Sequence, residues 1–242
     1  MATYKKRGGK IKSKSEEVNG SELLEGESTT AEVFNTLDET ANKTEEWVEK
    51  NQKVILIAVG VIALAVLAYL GFVNVIQEPK EKEAMSEMYQ AQEYFDEALT
   101  STIAKDSLYN LSLSGGNSKY GFLDIIENYG GTKASNLSNY YAGVAYLNMN
   151  DYKNAISYLD AFESDDAVLG PLAKGAIGDA FVQLDQMDTA LEYYESAAKM
   201  QDNEFTTPRF LLKAGIAAMK LGNASKAAAH FSSITGMYSN TT

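Results

Sequence analysis

An uncharged run of twenty residues, VILIAVGVIALAVLAYLGFV at 54–73, lies between Lys53 and the polar stretch Gln77-Glu78-Pro79-Lys80. At about 1.5 Å per residue a helix of this length spans roughly 30 Å, the thickness of a bilayer's hydrocarbon core. A cleaved secretory signal has a shorter apolar stretch close to the N-terminus. Here 53 residues precede the run, and the cleavage-like Ala63-Leu64-Ala65 falls inside it. The run is therefore expected to be an uncleaved membrane anchor, and everything after it a separate domain of about 165 residues.

Orientation follows from lysine and arginine, which favour the cytoplasmic side. The leader carries Lys43, Lys50 and Lys53 near the run, with a distal cluster of Lys5, Lys6, Arg7, Lys10, Lys12 and Lys14. Beyond the run come Lys80 and Lys82, then nothing basic until Lys105. The bias places the N-terminus inside and the C-terminal domain outside. From Gln77 onward there are 22 acidic and 12 basic residues, about −10 of the chain's net −12. Such a domain is expected to repel nucleic acid and anionic lipid headgroups. With no cysteine in the chain, neither a disulfide nor a Cys-based metal site can form.

Residues 1–30 hold almost no large apolar side chains, so they are expected to be disordered. Over 31–52 Val33, Leu37, Ala41, Thr44 and Val48 recur at three- and four-residue spacing opposite Glu32, Asp38, Glu39, Glu45 and Glu46. This predicts an amphipathic cytoplasmic helix ahead of a membrane helix over 53–76. Pro79 is expected to end or kink that helix, and a new one to start within Glu81–Glu83 with Met85, Met88, Tyr89, Gln92, Phe95 and Leu99 on its apolar face. The pattern loosens between Thr100 and Lys119, where Ser114-Gly115-Gly116-Asn117 signals a loop. A short helix follows from Tyr120 to Tyr129, closed by Gly130-Gly131, so 77–134 forms a helical region with a divergent first unit.

Over 135–242 the chain repeats. In AGVAYLNMNDYKNAISYL a Gly is followed at +3 by an aromatic, at +12 by Ala and at +16 by a large apolar residue: Gly143, Tyr146, Ala155 and Leu159. The offsets recur as Gly178, Phe181, Ala190 and Tyr194, and again as Gly215, Ala218, Ala227 and Phe231. Gly and Ala leave room where two helices of a pair approach, and the aromatics are expected to fill gaps between pairs. Asn150-Asp151, Asp185-Gln186 and Gly222-Asn223 supply the turns. Each unit can bury its face only against its neighbours.

This spacing resembles the tetratricopeptide repeat, best in KGAIGDAFVQLDQMDTALEYYESAA at 174–198. The resemblance implies an all-α fold, a single N-terminal transmembrane helix followed by an α-solenoid of helix pairs. The layout as a whole, with the stretches GFLDIIENYGGTKASNLSNYYAG, LGPLAKGAIGDAF and TTPRFLLKAG, is similar to the YfgM-type ancillary subunits of the bacterial Sec translocon. That resemblance implies a bacterial inner-membrane protein with a periplasmic repeat domain. Its partners would be the SecY-type channel, a membrane-anchored periplasmic chaperone of the peptidyl-prolyl isomerase type, and exported client chains.

Nothing in the sequence points to catalysis or to a cofactor. The single His230 has no cysteine or second histidine to join it in a zinc site or a nucleophilic pair. Asp165-Asp166 and Asp185/Asp188 are read as caps and turns. A non-enzymatic scaffold or chaperone-like accessory subunit is expected, with an adaptor in another envelope machine (cell-wall synthesis, division or cytochrome maturation) as the alternative. In tetratricopeptide arrays the first helix of each pair lines a concave groove. Counting from each Gly, the groove positions are Tyr140, Leu147, Asn148, Asp179, Gln183, Arg209, Met219 and Lys220.

Overall fold

A computed structural model describes residues 29–238, with side chains described from Trp47 onward. The leader expected over 1–30 lies outside the described residues except for Thr29 and Thr30, and the apolar stripe expected over 31–48 falls mostly on side chains that are not described. The chain forms two compact units, Met1–Ala65 and Val66–Thr242. The described residues are helical apart from their connections, and an isolated bridge joins Gly116 and Lys119.

Helix α1 (Thr29–Phe72) contains the apolar run. It is long and apolar enough to cross a membrane, and none of its most apolar stretch is buried within the protein. Trp47, Tyr69 and Phe72 are all exposed.

The helix does not end at Pro79, and α2 (Glu78–Thr100) starts at Glu78 rather than within Glu81–Glu83 as expected. A π-helical turn, Val73–Gln77, leads directly into α2, and the Glu78 N–H donates five residues back to the Val73 carbonyl. The extra residue of a π-turn opens the space that a proline ring needs against the carbonyl four residues earlier. Proline then sits in the first turn of α2, where its missing N–H is tolerated.

The buried face of α2 is Ala84, Met88, Ala91, Phe95 and Ala98. Met85, Tyr89 and Leu99, expected on the core face, are exposed. Met88 and Phe95 of the expected face are buried, and Ala84, Ala91 and Ala98 complete the stripe that packs beside helices including α5 (Lys133–Asn148). The stretch read as loose, 100–119, contains a helix, α3 (Lys105–Ser114), which buries Leu108, Tyr109, Ser112 and Leu113. Phe95 is the centre of the first core cluster, with ring centroids 5.5 Å from Tyr109, 5.0 Å from Tyr141 and 6.1 Å from Phe122. Phe122 opens the short α4 (Phe122–Asn128).

Helix α5 lies beside α2 and runs in the same direction. Its first residues meet Glu81, Ser138 donates to Met88 Sδ at 3.2 Å, and Asn148 near its end accepts from Lys105 Nζ at 3.2 Å. Three helix pairs then follow in chain order: α5 with α6 (Tyr152–Ala161), α7 (Leu169–Gln183) with α8 (Met187–Met200), and α9 (Thr206–Lys220) with α10 (Ala224–Met237).

The three inter-helix turns share one device. Asn150, Asp185 and Gly222 all have positive φ, at 64°, 56° and 77°. Asn and Asp tolerate this left-handed conformation better than other non-glycine residues, which explains the residue types at the turns. The glycines of the pattern are steric necessities. A Cβ on Gly143 would lie 2.5 Å from Leu159 Cγ, and one on Gly178 would lie 2.7 Å from Tyr194 Cε1. Gly215 meets Phe231 in the same way.

The aromatics at +3 have ring partners inside their own pair, while Phe181 and Tyr193 also pack against the cluster of Leu159, Ala173 and Ile177 that joins the first pair to the second. Within the pairs, Tyr146 stacks on Tyr158 with centroids 5.4 Å apart and Phe181 on Tyr193 at 5.3 Å. In the third pair Ala218 replaces the first ring, and His230 stands where Tyr158 and Tyr193 stand. Without a ring to stack on, His230 bonds Glu195 on α8 instead.

Candidate functional site

Helix α9 offers the most exposed apolar surface of the repeat region. Phe205, at its N-cap, then Leu212, Ile216 and Met219 follow at helical spacing, with relative exposures of 61%, 48%, 45% and 60%. The inner face of the same helix, Phe210, Ala214, Ala217 and Ala218, is buried. Amphipathic patterning thus accounts for one face, while the second apolar row has no packing partner among the described residues. Full burial of such a side chain contributes about 1.5–3 kcal/mol, so covering four half-exposed ones would contribute roughly 4 kcal/mol.

Three of the eight groove residues expected from sequence lie on or beside this row. Arg209 and Met219 belong to it, and Lys220 adjoins it, all exposed. Neither Arg209 nor Lys220 forms an ion pair among the described residues, which leaves two free cations in a strongly acidic domain. Phe205, Leu212 and Ile216 were missed by sequence reasoning. Their spacing with Arg209 and Met219 (205, 209, 212, 216, 219) was the available signal.

Leu147, Asp179 and Gln183 come together elsewhere. They line a cleft of about 350 Å³ with Tyr152, Val182 and Tyr194, next to the turn at Asn150. Asp179 is fully engaged there, accepting from Tyr194 Oη at 2.6 Å and from Lys213 Nζ at 2.6 and 2.7 Å. Lys213 also stands 5.5 Å from the centre of the Tyr194 ring. Burial and then the bond to Asp179 raise the Tyr194 hydroxyl far above the usual phenol range. Asp179 therefore ties α7, α8 and α9 together.

The remaining two residues are also structural. Tyr140 packs on Phe162 at 5.3 Å and on Tyr141 at 6.0 Å. Its phenol is raised chiefly by burial, while the nearby Arg209 charge opposes that rise. Asn148 bridges Lys105 Nζ and the Val144 carbonyl.

The other ionisable clusters act locally. Asp166 Oδ1 accepts from the backbone N–H of Val168 and Leu169, both at 2.8 Å, which caps α7 and lowers its carboxyl. Asp185 occupies a turn and Asp188 the first turn of α8, where a carboxylate suits the helix dipole. Glu195 Oε1 receives His230 Nε2 at 2.8 Å and Lys226 Nζ at 2.9 Å. Burial alone would raise the Glu195 carboxyl, but these two bonds hold it below its ordinary value.

Two segments, 138–165 and 173–204, each match a model of the tetratricopeptide repeat. These segments are tetratricopeptide repeats. They cover α5–α6 and α7–α8, the two pairs in which both the Gly contact and the aromatic stack are intact. The α9–α10 pair keeps the same turn and Gly contact outside the matched segments. Tetratricopeptide repeats indicate a protein–protein interaction scaffold. No curated protein matches the chain.

Proposed function

We propose that this chain is a membrane-anchored, non-enzymatic scaffold or chaperone-like accessory subunit at the outer face of the bacterial Sec translocon. The apolar run of α1 anchors it in the inner membrane, N-terminus inside, and the repeats act in the periplasm. Its partners are the SecY-type channel, a membrane-anchored isomerase-type chaperone and exported client chains. The anchor raises the local concentration of the repeat surface around emerging chains, which is tethering and needs no catalysis.

The observation that carries this reading is the α9 row. Phe205, Leu212, Ile216 and Met219 stay exposed, with Arg209 and Lys220 beside them and without an ion pair among the described residues, on a helix whose other face is packed. Apolar anchors at helical spacing with charged neighbours suit an extended or helical protein segment. Layout and sequence likeness to the YfgM-type subunits supply the choice of machine.

The test is a gentle-detergent pull-down of tagged full-length protein, beside a version whose residues 54–76 are replaced by an unrelated membrane span. Recovery of SecY with both places the main contact in the repeats or leader. Recovery with the native span alone places it in the bilayer. If neither recovers SecY and envelope-synthesis enzymes appear instead, the translocon assignment is wrong and the adaptor reading replaces it.

A further inference from the structure

The start of α2 is fastened to the connection between α4 and α5 by five hydrogen bonds. Gln77 Nε2 donates to the Gly131 carbonyl and Lys80 Nζ to the Gly130 carbonyl, both at 3.0 Å. The backbone N–H groups of Lys133 and Ala134 donate to the two Glu81 carboxylate oxygens at 2.7 and 3.1 Å. Tyr129 Oη donates to Glu83 Oε1 at 3.0 Å. Glu81 thereby caps α5 from 52 residues earlier in the chain. All of these residues belong to the unit that begins at Val66.

This fastening fixes the height of the α4–α5 connection along the helix. Lys80 lies four residues beyond Ile76, where the expected membrane helix 53–76 ends, which is about 6 Å of helical rise. A bilayer's polar layer extends roughly 5–8 Å beyond its hydrocarbon core on each side. The backbone is helical without interruption from Phe72 through Glu78, so the bonded loop follows the last turns of the apolar segment along one helix.

The chemistry of this edge also suits phospholipid headgroups. Three of the nearby carboxylates are engaged, Glu81 by the α5 N-terminus, Glu83 by Tyr129 and Glu78 by Lys82 at 3.7 Å, while Glu127 on α4 is exposed. Lys133 is exposed and has no carboxylate partner among the described residues, so its ammonium is free for a lipid phosphate. Gly130 and Gly131 present no side chain, and nothing of the protein lies within 4 Å of where a Gly131 Cβ would point.

We propose that the edge of the repeat domain formed by Gly130, Gly131 and Lys133 rests in the phospholipid headgroup layer. The turn at Asn150, some 24 Å further along α5 by helical rise, is thereby held away from the bilayer. The proposal rests on α1 being a membrane anchor. The negative domain as a whole repels anionic surfaces, and at this edge Lys80, Lys82 and Lys133 offset part of the charge of Glu78, Glu81, Glu83 and Glu127.

The absence of cysteine makes the test direct. Single variants Leu64→Cys, Lys133→Cys and Lys153→Cys of the full chain are labelled with a fluorophore. They are reconstituted into vesicles of phosphatidylethanolamine and phosphatidylglycerol, and folding is checked by far-ultraviolet circular dichroism. Nitroxide lipids carrying the spin in the acyl chain or on the headgroup serve as quenchers. The label at 64 should be quenched by acyl-chain nitroxide. The label at 133 should be quenched by headgroup nitroxide at least threefold more than the label at 153. Equal, weak quenching at 133 and 153 with strong quenching at 64 overturns the proposal while leaving the anchor intact. Loss of acyl-chain quenching at 64 overturns the anchor, and the proposal with it.

Discussion

Gly178→Ala tests the packing logic of the repeat directly. The new Cβ would lie 2.7 and 2.8 Å from Tyr194 Cε1 and Cδ1, roughly 0.8 Å inside the optimal carbon–carbon separation of about 3.5 Å. The ring cannot swing clear, because its hydroxyl is bound to Asp179, which Lys213 holds in turn. Overpacking of this kind costs about 1–3 kcal/mol, whereas replacing a mid-helix glycine by alanine stabilises by about 1 kcal/mol. The expected net is a loss of about 1 kcal/mol, a fall of roughly 2–4 °C in the unfolding midpoint of a domain this size. Thermal melts of detergent-solubilised protein followed at 222 nm would read it. Gly236→Ala, with nothing within 4 Å of the new methyl, should leave the midpoint unchanged or raise it. In a Tyr194→Leu background the clash disappears, so Gly178→Ala should become stabilising. If Gly178→Ala raises the midpoint in both backgrounds, steric necessity is not why glycine stands there.

Three further outcomes are expected. Tyr109 is fully buried with no hydrogen-bond partner for its hydroxyl among the described residues, so Tyr109→Phe should be neutral or stabilising by up to about 1 kcal/mol in the same melts. Glu195 has a folded-state carboxyl below its unfolded value, so its contribution is complete above about pH 4.3 and fades as pH falls toward the folded value. Stability profiles of wild type and Glu195→Gln should therefore converge on acidification below that range, and parallel profiles would refute the linkage. Leu212→Ser with Ile216→Ser should leave the melt within about 1 kcal/mol of wild type, because both side chains are half exposed, yet weaken capture of partner proteins about tenfold or more.

The repeat region was legible because its constraints are local and steric. A glycine that must clear Leu159 or Tyr194, and a turn that needs positive φ at Asn150 or Asp185, leave marks at fixed offsets. The phase of α2 was only partly legible: Met88 and Phe95 are buried as expected, but Ala84, Ala91 and Ala98 complete the stripe while Met85, Tyr89 and Leu99 face outward. Helix α3 was hidden because its core face includes Ser112, whose hydroxyl is satisfied by the Tyr109 carbonyl at 2.8 Å. Glu81 capping α5 is a non-local bond that no spacing rule could anticipate. At the candidate site, counting from the repeat glycine picked out Arg209 and Met219, both exposed on the α9 row. Their neighbours Leu212 and Ile216 were overlooked because an apolar residue on a helix reads as core until the partner helices are placed. Tyr140 and Asp179 also make contacts that spacing could not anticipate: Tyr140 packs on Phe162, and Asp179 is held by Lys213 and Tyr194.

The most direct test of the scaffold reading is site-specific photocrosslinking in living cells. A benzophenone amino acid is placed at Ile216 on the exposed row of α9, or at Ser196 on the exposed outer side of α8. The account predicts protein adducts from position 216 that contain the translocon channel or its isomerase-type companion, and few or none from position 196. Absence of adducts at 216, or the same adducts from both positions, would contradict it.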